Sequence, residues 1–155
     1  MSRSVDVLLA PPFTAEALRG AHVVAIDVLR ATTTIVTALA NGAAAVVPVL
    51  DPEDAVEVAK RLGRDRVLLC GERGSVLIKG FDLDNSPASY AREVVEGKTL
   101  VFTTTNGTRA LRAGTAAASV RAGALVNRAA VADALVREQG EIALLCAGVH
   151  GRFAL

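Results

Sequence analysis

The feature that most constrains this chain is a set of short, unbroken apolar runs that show no in-and-out alternation. The strongest covers residues 22–26 and ends at Asp27; others cover 45–50, 66–70, 99–102 and 142–146, with a weaker one at 117–120. A strand wetted on one face alternates polar and apolar residues. A strand that is apolar throughout is covered on both faces, which is the mark of a parallel sheet between helices. Pro48 cannot donate to a ladder, so its strand is expected at an edge or at a bulge. Between the runs lie helical segments. One spans 31–39 and stops at Asn41-Gly42. A second spans 52–62, with Asp51 as N-cap, Pro52 in the first turn and Gly63 as the stop. Ser86-Pro87 opens a third that continues to Gly97, Asn106 caps a short fourth over 107–113, and Asn127 caps a fifth over 128–138. Strands alternating with helices imply βαβ units with right-handed crossovers. The expected fold class is α/β, a three-layer sandwich with a mostly parallel sheet. The 155 residues suit one domain, 1–155.

Composition narrows the function classes. Hydrophobic residues make up 52% of the chain, too many for a disordered tail. Aromatics are 3%, with no Trp, so stacking platforms for single-stranded nucleic acid are not expected. Basic and acidic residues number 17 and 16, a net charge of +1, and no field favours nucleic acid or an anionic membrane. Cys70 and Cys146 each close an apolar run and read as small core residues. No apolar stretch reaches the roughly 18 residues of a membrane span, and no basic-then-apolar leader opens the chain. A cytoplasmic location is expected.

The unusual polar residues follow strand ends. Asp27 and Arg30 follow the first strong run, Glu72 and Arg73 follow Cys70, Thr103-Thr104-Thr105-Asn106-Gly107-Thr108 follows Phe102, and Gly148, His150 and Arg152 follow Cys146. In open parallel sheets, ligands bind outside the carboxyl ends of the strands. A carboxylate there is a good ligand for a hard cation. An Arg three residues on can clamp a phosphate. The Thr/Asn/Gly run offers hydroxyls, an amide and N–H groups to an anion. Phe81-Asp82-Leu83-Asp84-Asn85-Ser86-Pro87 adds carboxylates and a helix start. Each segment also has a plainer reading: an Asp27–Arg30 salt bridge with threonines as helix caps, a solvated Glu72, a capped turn, and an Asx turn capped by Ser86. No Cys/His spacing suggests zinc. Dinucleotide, Walker and nucleophile-elbow motifs are missing from the sequence.

Taken in order, Val24-Ala25-Ile26-Asp27-Val28-Leu29-Arg30-Ala31-Thr32-Thr33-Thr34, Gly71-Glu72-Arg73-Gly74, Asn85-Ser86-Pro87, the Thr103–Thr108 run and Cys146-Ala147-Gly148 resemble the 2-phosphosulfolactate phosphatases over nearly the whole chain. The resemblance implies Mg²⁺-dependent hydrolysis of 2-phospho-3-sulfolactate to 3-sulfolactate and phosphate, a step of coenzyme M biosynthesis in methanogens. With the local chemistry, it makes Asp27 and Glu72 the metal ligands and Asp27 and Arg30 the catalytic pair. Arg30, Asn85, Ser86, Thr104, Asn106, Gly107 and Thr108 would bind a small anionic phosphorylated substrate. In this chain Asp84 stands where the family's pattern has Gly, adding negative charge beside the substrate. The family's pattern continues past Phe153-Ala154-Leu155 with an acidic Glu-Asp pair. The C-terminal part of the family fold is thus expected to lie outside 1–155, leaving an apolar edge that favours a homo-oligomer. The alternative expectation is a truncated, inactive relative that binds anions or only oligomerises.

Overall fold

The computed structural model describes residues 4–153, so Ala154 and Leu155 of the tail lie outside the described residues. In chain order the elements are β1 (Val5–Leu8), β2 (His22–Ile26), α1 (Ala31–Ala40), β3 (Ala45–Pro48), α2 (Pro52–Leu62), β4 (Val67–Arg73) and β5 (Val76–Leu77). They continue as α3 (Arg92–Val95), β6 (Thr99–Thr103), α4 (Gly107–Ala113), β7 (Ser119–Gly123), α5 (Arg128–Val136) and β8 (Ile142–Cys146). The α/β class and the parallel strands are as the apolar runs imply. The strands divide into two four-stranded sheets, of order β1-β8-β2-β7 and β3-β6-β4-β5. The first is parallel throughout; the second is parallel except for the short β4–β5 hairpin.

Burial on both faces explains the unbroken apolar runs. On one face of the first sheet, Val23, Ala143 and Leu145 pack with Leu18 and Ala21. On the other, Val24 and Ile142 pack against Leu135 of α5. In the second sheet, Val67, Leu69 and Val101 meet Ala55 and Ala59 of α2. Cys70, Leu100 and Phe102 meet Ala31, Ile35 and Ala38 of α1. Helix α1 also packs on Ala122 of β7, and α4 touches β2 and β7 of one sheet and β3 of the other. Helices α1 and α4 therefore fill the space between the sheets. Each sheet is sandwiched by helices, and the middle helical layer is shared.

Several details depart from the sequence expectations. Strands β1 and β5 were not foreseen. Strand β4 runs on to Arg73, which puts Glu72 on a strand rather than a loop. The expected helix over 86–97 breaks into a 3₁₀ turn, Pro87–Ser89, and the single-turn α3. The break falls where the Tyr90 side chain turns fully inward and its hydroxyl donates to the Asp84 carbonyl. Pro48 closes β3, an edge strand that pairs only with β6, where its missing donor does no harm. No helix among the described residues is long and apolar enough to cross a membrane.

Candidate active site

The site starts at the end of β2. There Asp27 leaves the sheet and α1 begins four residues later, with the Leu29–Arg30 peptide in cis. The three threonines of the first turn of α1, Thr32, Thr33 and Thr34, do not cap their helix; its N-cap, Arg30, has no side-chain capping bond. They fasten neighbouring loops instead. The Thr32 hydroxyl lies 2.8 Å from the Asp27 carbonyl and 2.7 Å from the Gly123 carbonyl, and accepts the Asp27 N–H at 3.0 Å. Thr33 donates to the Val28 carbonyl at 2.6 Å, and Thr34 to the Asn85 carbonyl at 3.2 Å. Hydroxyls that cost helix propensity are thus used to fix the ends of β2 and β7 and the Asn85 turn.

Burial pushes the Asp27 carboxyl above the usual carboxylate range, and the Glu72 charge adds to this. The N–H groups of Ala31 and Arg30 and the Arg30 guanidinium pull the other way without cancelling it. Asp27 and Arg30 form no salt bridge, and the Arg30 guanidinium makes no hydrogen bond or ion pair among the described residues. Gly107, at the start of α4, sits directly against Asp27: a Cβ there would lie 2.4 Å from the Ala31 Cβ and 2.7 Å from Asp27 Oδ2.

Glu72 is buried, at 7% exposure, and its carboxylate is a hub. Oε1 accepts the Thr105 N–H at 2.8 Å; Oε2 accepts the Ser75 N–H at 2.7 Å and the Thr105 hydroxyl at 3.3 Å. It ties the β4–β5 turn to the loop after β6. Gly71 makes this approach possible. It has a φ of 141°, and a Cβ would fall 1.8 Å from the Thr103 carbonyl oxygen. Arg73 turns away to the Leu50 carbonyl (2.7 Å) and the Thr103 hydroxyl (2.9 Å).

The remaining candidates separate into lining and support. Asn85 is 5% exposed and lines the cleft, yet its Oδ1 has no hydrogen-bond partner among the described residues. Asp84 closes the turn beneath it, accepting the Ser86 N–H at 3.0 Å and the Ser89 hydroxyl at 2.9 Å. Among the described residues, Ser75 and His150 are the only non-glycine positions with positive φ, so the Asp84 turn needs no left-handed backbone. Its carboxylate is occupied in an Asx turn. Thr104 and Thr108 are buried and bind each other: Thr108 donates its N–H to Thr104 Oγ1 (3.2 Å) and its hydroxyl to the Thr104 carbonyl (2.9 Å). They brace the start of α4 from below. Asn106 Oδ1 accepts the His150 N–H at 3.1 Å, which draws the loop after β8 to the site.

The result is a cleft of about 170 Å³ where Asp27, Arg30, Glu72, Asn85 and Asn106 converge. Gly107 stands behind Asp27, and Thr104, Thr108 and Ser86 lie outside the lining. Ser75, Thr105 and His150 complete the wall and were not singled out as site residues from the sequence. Position alone could have suggested Thr105, in the middle of the Thr/Asn/Gly run, and Ser75, just after Gly-Glu-Arg-Gly. Among the described residues no cluster of three His, Cys, Asp or Glu side chains could hold a metal by itself. Two carboxylates and the unpartnered amide oxygen of Asn85 are nonetheless the hard donors that suit Mg²⁺. A guanidinium without a partner, facing carboxylates in a cleft, can hold an oxyanion while a proton moves at Asp27.

Parallel strands whose carboxyl ends enclose such a cleft define an α/β protein with a polar strand-end cleft. Residues 10–155 match the family model described as 2-phosphosulpholactate phosphatase. The chain belongs to the 2-phosphosulfolactate phosphatase family. It is 52% identical over 145 residues to a protein of Symbiobacterium thermophilum, covering 94% of this chain and 61% of that one. It is 50% identical over 137 residues to one of Caldanaerobacter subterraneus subsp. tengcongensis, covering 88% and 57%. It is 43% identical over 152 residues to one of Clostridium beijerinckii, covering 97% and 64%. All three relatives carry the name "Probable 2-phosphosulfolactate phosphatase". The chain spans about three fifths of their length.

Proposed function

We propose that this chain catalyses hydrolysis of the phosphate ester of 2-phospho-3-sulfolactate, or of a similar phosphorylated hydroxy acid, with Mg²⁺ as its cofactor. The products are 3-sulfolactate and phosphate, and the setting is the cytoplasm and coenzyme M biosynthesis. One observation carries the reading. In a chain of this family, Arg30, whose guanidinium makes no hydrogen bond or ion pair among the described residues, and Asn85, whose buried Oδ1 finds no partner among them, line one cleft with Asp27.

The roles follow from the chemistry. Phosphate monoesters hydrolyse extremely slowly in water, so stabilising charge on the phosphoryl oxygens must supply most of the catalysis. Arg30 binds those oxygens, because its guanidinium lines the cleft and makes no hydrogen bond or ion pair among the described residues. Asp27 is the catalytic carboxylate. It stands at the end of β2 in the same cleft as Arg30 and Glu72, within reach of an ester held by that guanidinium. Asp27, Glu72 and Asn85 would hold Mg²⁺, which when bound supplies Lewis-acid neutralisation of the phosphate. Glu72 also positions Thr105 and Ser75. Asn106 borders the bound anion, Gly107 packs behind Asp27, Thr104 and Thr108 brace the start of α4, and Ser86 belongs to the turn that carries Asn85.

The test is release of inorganic phosphate from 2-phospho-3-sulfolactate with and without Mg²⁺. Asp27→Asn should lose at least about a hundredfold in rate and keep its fold by circular dichroism. Near-normal turnover in that folded variant would remove Asp27 from the chemistry. Binding of phosphate without turnover by the parent would favour the non-catalytic, anion-binding alternative.

A further inference from the structure

Next to the cleft lies a second pocket, of about 290 Å³, that shares Thr105, Asn106 and His150 with it as a common wall. Its far side is largely apolar, with Phe13 and Ala147 among the lining residues. Its charge comes from Arg109. That guanidinium makes no hydrogen bond and no ion pair among the described residues, and no described carboxylate lines the pocket. Arg109 is exposed, and its planar guanidinium can grip an anion in bidentate fashion at the pocket's edge.

We propose that Arg109, with His150 at the shared wall, binds a second acidic group of the substrate: the sulfonate of a phosphorylated hydroxy acid. Two unpartnered guanidinium groups, Arg30 and Arg109, then flank one wall from adjacent pockets. That arrangement fits a small substrate with two strongly acidic groups better than a simple phosphate ester. Arg109 sets specificity, while phosphoryl transfer stays with the Asp27 cleft. The inference rests on the phosphatase reading only for the identity of the second group; the pocket and its free cation stand without it.

The test compares 2-phospho-3-sulfolactate with 2-phospholactate, which lacks the sulfonate, in the parent and in Arg109→Gln. The ratio of kcat/KM for the two substrates should fall about 10- to 100-fold in the variant, carried mainly by KM. An unchanged ratio overturns the proposal, including the case where both substrates lose equally. Calorimetric titration with 3-sulfolactate supplies a readout that needs no turnover. The parent should bind it and Arg109→Gln should bind it at least about tenfold more weakly. Equal affinity, or no binding by the parent, overturns the assignment. Weakened product binding in a chain that hydrolyses neither ester would leave the anion pocket standing and reject the phosphatase reading.

Discussion

At Gly107 the chain has no room for a methyl group. Asp27 and Ala31 already occupy the space that a Cβ would need, at 2.7 and 2.4 Å. Both neighbours are fixed, Ala31 in a fully buried helix turn and Asp27 by Thr32. Gly107→Ala should therefore cost about 1–3 kcal/mol of stability, as overpacking does, and displace the Asp27 carboxylate. Thermal melting should show the loss together with a fall in phosphatase rate. A variant with parent stability and parent rate would mean that α4 does not press on Asp27. At this scale the sequence was informative about charge and less so about orientation. Asp27, Arg30 and Glu72 converge as their strand ends suggest, and the turn carrying Asn85 joins them. The hydroxyls of Thr104 and Thr108 look identical to Thr105 in the sequence, yet they are buried and each bonds the other residue's backbone. Which member of a run faces the cleft depends on how α4 docks, and no local pattern encodes that.

Helix α1 is the element that assembles the site. Thr32 connects it to the ends of β2 and β7, and Thr34 connects it to the Asn85 turn. Thr32→Val keeps the shape but leaves the Asp27 N–H and the Gly123 carbonyl without this partner. That should cost about 1–3 kcal/mol, read as a lower urea midpoint with an unchanged m-value. No change in midpoint would show that the hydroxyl is replaceable by water. The boundaries of α1, α2, α4 and α5 were legible because Pro, Gly and Asn punctuate them. The segment 86–97 was not: its composition suits one helix, but burying Tyr90 outweighs continuing the backbone ladder. The short β1 and β5 carry too little pattern to stand out, and they are strands because β8 and β4 offer them an edge.

Across the whole molecule, the shared layer of α1 and α4 buries Cys70 completely against the second sheet, and burial pushes its thiol up to about 12. Cys146, at the end of β8, is only partly buried. Iodoacetamide at pH 8 should therefore label Cys146 in the folded protein and reach Cys70 only after denaturation. Native labelling of Cys70 would contradict the packing of α1 on β4 and β6. The sequence by itself determined that β2, β4, β6 and β8 are parallel strands covered on both faces, since only doubly buried strands stay apolar throughout. It also determined that charged residues gather at their carboxyl ends. The tertiary structure alone decided that the strands form two sheets rather than one. It also decided that Glu72 braces two loops, that Asp84 is spent in its own turn, and that Arg30 and Arg109, without a hydrogen bond or ion pair among the described residues, line two pockets with a common wall. Those outcomes depend on which surfaces meet across long stretches of chain, and apolar periodicity is silent about pairing at that distance.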